Sequence, residues 1–100
     1  MLKHIVMWKL KDSHEGADKE EIMDRIKEEL EGLKSSIPEI KTMEIGRNSN
    51  ELPTSFDVAL YSEFESKEDL DIYKEHPEHV KVAQFIRQVT ADAVVVDYET

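Results

Sequence analysis

The sequence has no cysteine, few cationic residues and no long apolar run, and each absence excludes a class of protein. Without cysteine, the 100-residue chain has no disulfide, no thiolate nucleophile and no thiolate-held metal. Its 13 Lys and Arg face 23 Asp and Glu, and the net charge of −10 argues against nucleic acid and anionic membranes as partners. No apolar run reaches membrane-spanning length.

The length and composition predict one domain that spans residues 1–100. At 39% hydrophobic residues, the chain can build a single core and has little to spare for insertions. There is no internal repeat or low-complexity tract. The sequence passes from Met1 directly into a strand, which leaves no room for a signal peptide, so we expect a cytoplasmic protein.

The first half of the chain predicts a strand, a helix and a second strand. Leu2 to Lys11 alternates in polarity and is apolar at the centre of both faces. Asp18 and Glu21 form the pattern of a capping box that opens a helix. The apolar stripe of this helix is Ile22, Ile26, Leu30 and Leu33. Pro38 lies just past the end of the helix, and a strand is predicted around residues 40–47.

The second half repeats the alternation of strand and helix. A linker rich in turn-forming residues, 48–55, leads to a clear strand over Phe56–Phe64. Ser66 and Asp69 predict a second capping box and a short helix. Pro77 interrupts this helix, because proline has no N–H to donate and suits the first turn of a new one. A further helical stretch precedes a closing strand at residues 94–98.

The order of elements is β-α-β-β-α-β, that of the ferredoxin-like α+β fold. This fold places four antiparallel strands in the spatial order 4-1-3-2, with both helices on one face of the sheet. The other face would then expose Ile5, Met7, Ala59 and Tyr61, a patch too apolar for an isolated small domain. We therefore expect a symmetric homodimer in which two sheets pack face to face.

The candidate site is the cluster Y-x-x-H-P-x-H, formed by Tyr73, His76, Pro77 and His79, together with His4 in the first strand. In the predicted topology the second helical region begins beside the start of the first strand. Tyr73 lies about 10 Å along that helix, and His4 lies two residues into the strand. The two side chains should therefore meet at similar depth. The sequence predicts a pocket lined by His4, Tyr73, His79 and Trp8.

Four segments of the chain resemble the stress-responsive A/B barrel (Dabb) family. They are K-H-I-V-M-W-K-L-K-D, F-D-V-A-L-Y-S-E-F-E-S, Y-K-E-H-P-E-H-V and V-V-V-D-Y-E. The resemblance covers essentially the whole chain and implies a dimeric α+β barrel. A plant branch of the family contains cofactor-independent polyketide cyclases, which close a linear chain by aldol condensation. The resemblance carries their pocket residues onto His79, Tyr73 and His4.

Each candidate residue also has a structural interpretation. His4 can be a buried histidine bonded to backbone or to Tyr73, and Tyr73 can be a core residue with a satisfied hydroxyl. We take His76 mainly as the end of the first helical piece, although it is placed among the residues lining the pocket. Trp8 suits packing, and His14 suits a solvated loop. No metal is expected, since the histidines lack the spacing of a known motif, and no cofactor is expected either.

Two function classes follow from the sequence. The first is a dimeric barrel without catalytic activity that binds a small apolar ligand or contributes only stability. The second is a cofactor-independent cyclase or isomerase that acts on a carbonyl compound, with His79 as the general base and Tyr73 or His4 polarising the carbonyl or orienting the base. A cavity on the order of 300 Å³ that reaches the rings would favour binding or catalysis.

Overall fold

The computed structural model describes all residues, 1–100, and has four principal strands and three helices. The strands are β1 (Leu2–Leu10), β2 (Thr42–Arg47), β3 (Val58–Phe64) and β4 (Thr90–Glu99), and the helices are α1 (Lys19–Ser36), α2 (Lys67–Glu75) and α3 (Pro77–Val89). Two-residue strands at Ser13–His14 and Ala17–Asp18 form a small separate hairpin. None of the helices is long and apolar enough to cross a membrane.

The four strands form one antiparallel sheet in the order β2-β3-β1-β4. This is the predicted order 4-1-3-2 read from the opposite edge, and the ferredoxin-like fold is confirmed. The helices cover one face, where alternate residues of β3 are buried: Val58, Leu60, Ser62 and Phe64. The predicted alternation of β1 is confirmed as well, because Leu2, His4, Trp8 and Leu10 are buried on the same face.

Capping explains where the first two helices begin. Asp18 and Glu21 form the predicted capping box of α1, with each side chain accepting the other residue's backbone N–H. The prediction of a second box was only half right. Ser66 accepts the N–H of Asp69 at 3.2 Å, but α2 has no return contact from the Asp69 side chain to the backbone of Ser66. Ser66 is therefore a simple N-cap.

The predicted strand beginning at Phe56 starts two residues later. The side-chain carboxylate of Asp57 accepts a hydrogen bond from the backbone N–H of Leu10 at 2.8 Å. This carboxylate takes the place of a backbone carbonyl in the hydrogen bonding between β1 and β3. Regular pairing of β3 therefore begins at Val58, opposite Trp8. Asp57 also lies 3.5 Å from the ammonium group of Lys19, so this corner ties the sheet to the start of α1.

The chain breaks between α2 and α3 at His76, as the proline predicts. His76 is extended (φ −62°, ψ 134°) and serves as the C-cap of α2 and the N-cap of α3. Its Nδ1 accepts the backbone N–H of Glu78 at 3.1 Å. Pro77 occupies the first turn of α3, where a missing N–H costs nothing. This break directs α3, and His79 with it, along β1.

We expect Pro77→Ala to reduce the free energy of unfolding by no more than about 1 kcal/mol, since the change mainly restores freedom to the unfolded chain. Without the rigid proline ring, the backbone in the first turn of α3, which carries His79, should also be more mobile in the folded protein. Thermal melting measures the first effect, and line broadening of the His79 ring resonances in NMR measures the second. A loss of several kcal/mol would contradict this account, because it would mean that Pro77 supports the core.

The face of the sheet opposite the helices has an apolar centre. The exposed residues there include Met7, Val94, Val96 and Tyr98. The strand register places Ile5 between Tyr61 and Val96, and Met7 between Ala59 and Val94, so the apolar side chains are contiguous. We call this surface the open face. It is the apolar patch that the sequence predicts, enlarged by the residues of β4.

Candidate functional site

A cavity of about 190 Å³ lies between α3 and β1 on the helix-covered side of the sheet. Its position agrees with the pocket predicted between the second helical region and the first strand. Eight of its eleven lining residues are hydrophobic. The lining residues are His4, Val6, Trp8, Leu30, Leu60, Tyr73, His79, Val82, Ala83, Ile86 and Arg87.

Tyr73 presents an unsatisfied hydroxyl to this cavity. Its side chain is 1% exposed, and burial raises the pKa of the phenol well above its ordinary value. The hydroxyl makes no hydrogen bond within the protein. Every polar side-chain atom that is sealed from solvent has a hydrogen-bond partner. Because the Tyr73 hydroxyl has none, it is not sealed, and it faces the space of the cavity. A neutral buried phenol without a partner is a hydrogen-bond donor available to a ligand.

His79 stands against Tyr73 at the first turn of α3. The two rings are 4.4 Å apart between centroids at an interplanar angle of 48°. The Nδ1–H of His79 donates to the carbonyl oxygen of Lys74 at 3.0 Å, which leaves the lone pair on Nε2. Burial lowers the pKa of His79, although the hydrogen bond to Lys74 opposes the shift. The ring is therefore neutral at pH 7 and able to accept a proton.

His4 is held by a carboxylate that the sequence analysis missed. Its Nδ1 donates to the Oδ1 of Asp97 at 2.5 Å, and Asp97 also lies 3.9 Å from the ammonium group of Lys74. The register of β1 with β4 places Asp97 directly opposite His4. His4 is buried and its Nε2 has no partner in the protein. A carboxylate at Nδ1 fixes the ring orientation and leaves Nε2 to face the cavity.

The structure thus brings together three of the predicted site residues. The ring of His4 lies 6.3 Å from that of Tyr73, and both pack edge-on or tilted against Phe64. Trp8 lines the cavity as predicted. Tyr73 and His79 meet through their rings and share no direct hydrogen bond.

The prediction that His76 lines the pocket was wrong. His76 is absent from the cavity wall, because its ring turns back to cap α3 through the N–H of Glu78. The three-residue spacing of His76 and His79 lies across the helix boundary, so the two rings do not share a helical face. No three His, Asp or Glu side chains come together in an arrangement that could hold a metal ion.

The size of the cavity is intermediate. It is smaller than the ~300 Å³ lower bound of typical ligand pockets, and larger than the ~150 Å³ apolar cavity that holds benzene in an engineered protein. A compact ring or short chain fits this volume. The cavity combines an apolar wall with a phenol donor and two imidazole nitrogens, a set that can bind a carbonyl oxygen and exchange a proton with a neighbouring carbon.

Comparison with known proteins identifies the family. The model for the Stress responsive A/B Barrel Domain matches residues 2–100. Two proteins from Arabidopsis thaliana, both named as stress-response A/B barrel domain-containing proteins, are 35% and 30% identical to this chain, and each aligns with 98% of it. The alignments cover 36% and 46% of those proteins, so the chain spans less than half the length of either relative.

Solved structures show the same fold. A protein of unknown function from Bacteroides fragilis, described as dimeric and ferredoxin-like, is 37% identical with a TM-score of 0.86, over 99% of this chain and 95% of that one. A hydroxynitrile lyase from Passiflora edulis is 22% identical with a TM-score of 0.82, over 97% and 90% of the two chains, and shows the fold alone. On the family match over residues 2–100, this chain belongs to the stress-responsive A/B barrel (Dabb) family.

Proposed function

We propose that this domain binds a small carbonyl compound in the cavity between α3 and β1 and moves a proton on it without a cofactor. The observation that carries the proposal is the Tyr73 hydroxyl, which faces the cavity without a protein partner and belongs to a ring that packs against the neutral imidazole of His79. A phenol hydroxyl that faces a cavity and has no protein partner is free to donate a hydrogen bond to a ligand oxygen.

The proposed chemistry needs one donor and one base. The carbonyl oxygen accepts a hydrogen bond from the Tyr73 hydroxyl, which stabilises negative charge as it develops there. The Nε2 of His79 takes a proton from the carbon next to the carbonyl. The electron pair of the broken C–H bond forms the C=C bond of an enolate, and the carbonyl π electrons move onto the oxygen. His79 then returns the proton to the same or another carbon.

His4 and Asp97 complete the proposed site. The hydrogen bond from Nδ1 to Asp97 holds the ring so that Nε2 points to the cavity. That nitrogen would then lie beside the bound carbonyl compound, where it can help to position it. The resemblance to the plant cyclases supports roles for His79, Tyr73 and His4. The Passiflora neighbour, named as a hydroxynitrile lyase, supports the view that this fold can hold an enzyme.

The second candidate is a barrel that binds a small apolar ligand without converting it. The modest volume of about 190 Å³ and the mostly hydrophobic lining favour this alternative. In that case the three rings would recognise the ligand and no proton would be transferred. Proton exchange on a bound ketone distinguishes the two candidates.

We also propose that the domain works as a homodimer joined through the open face. The apolar centre of that face favours burial, and solved neighbours are described as dimeric. A groove of about 460 Å³ on this side, beside Phe56 and Met7, would then belong to the interface. The cavity of the proposed site lies on the opposite side of the sheet, so association leaves it accessible.

Tyr73→Phe tests the proposed function without disturbing the fold. The hydroxyl has no protein partner, so its removal should change the melting temperature by no more than about 2 °C, the range expected for a neutral substitution. Binding of 2-hexanone, followed by chemical shifts of the cavity residues, should weaken about tenfold, as expected for a lost hydrogen bond to developing or partial charge.

The exchange of the ketone's α-protons in D₂O should also fall to the uncatalysed rate. Tyr98→Phe is the matched control, since Tyr98 lies on the open face away from the cavity. Unchanged binding and exchange in Tyr73→Phe would rule out the proposed role of the hydroxyl. Binding without exchange in the unmodified protein would favour the second candidate.

A further inference from the structure

Arg87 stands out among the three arginines because it has no carboxylate partner. Arg25 and Arg47 both contact carboxylates of α1. Arg87 forms no ion pair, although the protein has 23 carboxylates for 13 cationic side chains, and it lines the same cavity as Tyr73. Arg87 is exposed at the edge of the cavity, and a guanidinium without an ion pair there is available to a bound anion.

Arg87 and the proposed catalytic rings line the same cavity, and within α3 Arg87 lies more than two turns beyond His79. His79 and Arg87 are eight residues apart, so their Cα atoms are separated by about 12 Å along α3. Both side chains lean toward the N-terminus of the helix, and the greater length of the arginine side chain shortens the gap between the two groups. Burial is the main cause of the lowered pKa of His79, with smaller contributions from neighbouring cationic groups that include Arg87.

The wall between these two polar ends is apolar. On α3 it is formed by Val82 and Ile86, which lie between His79 and Arg87 in the sequence, and the sheet contributes further hydrophobic side chains. A ligand that matches this pattern has a carbonyl at one end, an apolar body and a negative charge at the other end. A neutral ligand would leave Arg87 unused.

From this arrangement, and resting on the function proposed above, we propose that the cavity binds a short keto acid. Its ketone oxygen would accept from Tyr73, and its carboxylate would pair with the guanidinium of Arg87, a geometry that arginine can satisfy with two parallel hydrogen bonds. The cavity volume of about 190 Å³ limits the ligand to roughly six to ten heavy atoms, by comparison with the ~150 Å³ cavity that holds benzene.

A matched pair of probes tests this proposal. 5-Oxohexanoate and 5-oxohexanamide have the same heavy-atom skeleton and differ in charge at one end. Titration of the whole protein, followed by NMR shifts of the cavity residues, should show that the acid binds at least about tenfold more tightly than the amide, as expected for a charge-assisted bidentate pair.

Arg87→Gln should remove this preference, so that the acid and the amide bind equally. Lys81→Gln is the control, because Lys81 is an exposed cation of the same helix that pairs with Glu78 and lies outside the cavity wall. It removes one positive charge and should leave the preference unchanged. Arg87→Lys should keep part of the preference, since a point charge remains without the bidentate fork.

The outcomes separate this inference from the proposed function. Equal binding of the two probes by the unmodified protein would overturn the keto-acid proposal and leave the ketone site intact. A preference that survives Arg87→Gln, or that Lys81→Gln removes equally, would overturn it as well, because the charge effect would not arise at Arg87. If neither probe binds at millimolar concentration, both proposals are wrong.

Discussion

Replacing His79 with alanine is expected to abolish α-proton exchange on a bound ketone and to leave the fold and the dimer intact. The proposed base is lost, and the other imidazole at the cavity, that of His4, lies farther from Tyr73, at 6.3 Å between ring centroids against 4.4 Å for His79. The hydrogen bond from His79 to the carbonyl of Lys74 is lost too. That bond lies at the end of α2, so its loss should lower the melting temperature by only a few degrees.

The pH dependence supplies an independent readout. Burial lowers the pKa of His79 in the folded protein, so exchange should persist at pH 6.5, where an ordinary histidine is half protonated, and decline at lower pH. The sign for stability follows from the same shift. As the pH falls, the His79 ring takes up a proton in the unfolded chain before it does so in the folded protein. Protonation therefore favours the unfolded chain, and His79 lowers the free energy of unfolding as the pH falls below about 6.5.

His76→Ala is the matched control for His79→Ala. His76 belongs to the same motif but caps α3 and does not line the cavity. Its loss should cost about 1 kcal/mol of folding stability, as for other N-caps, and leave exchange unchanged in the folded protein. If exchange falls equally in both variants, in proportion to the loss of stability, His79 has a structural role and is not the base.

Val96→Glu is expected to convert the homodimer to monomers at micromolar concentration. Val96 lies at the centre of the open face beside Ile5 and is 51% exposed in the isolated protomer. In a symmetric interface, each copy would bury a carboxylate without a partner. A penalty of at least about 4 kcal/mol is expected for such burial, which weakens association about a thousandfold. Light scattering should then report the protomer mass of 11.6 kDa.

Val95→Glu is the control, because the neighbouring side chain points to the other face of β4. Val95 pairs with Val6 across the sheet and is 62% exposed, so the same substitution there should leave the dimer unchanged. Added salt should tighten the unmodified dimer by screening the repulsion between protomers of charge −10. A protomer mass for the unmodified protein, or dissociation by Val95→Glu alone, would contradict the proposed interface.

Much of the fold could be predicted because it depends on local patterns. Local sequence preferences and tertiary contacts favour the same structure at three places: the alternation along β1, the apolar stripe of α1 and the helix break at Pro77. The errors in the predicted elements concern whether a particular side chain bonds to the backbone. Asp57 takes a ladder position at the start of β3, and the Asp69 side chain does not complete the capping box predicted with Ser66.

The sequence by itself determined the element order, the open apolar face and three of the residues that line the cavity, His4, Tyr73 and His79. These rest on periodicity, on the proline break and on the topology of a four-stranded sheet. The tertiary structure alone decided which groups complete the site. Asp97 reaches His4 only through the register of β1 with β4, and a shift of one residue would turn it to the open face.

The tertiary structure also decided the roles of His76 and Arg87. Whether His76 enters the cavity or caps α3 depends on the backbone angles at the helix break, which the motif does not encode. Arg87 carries no motif, and its position at the cavity follows from how α3 packs on the sheet. Polar partners far apart in the chain are brought together by packing, so the sequence pattern alone could not reveal them.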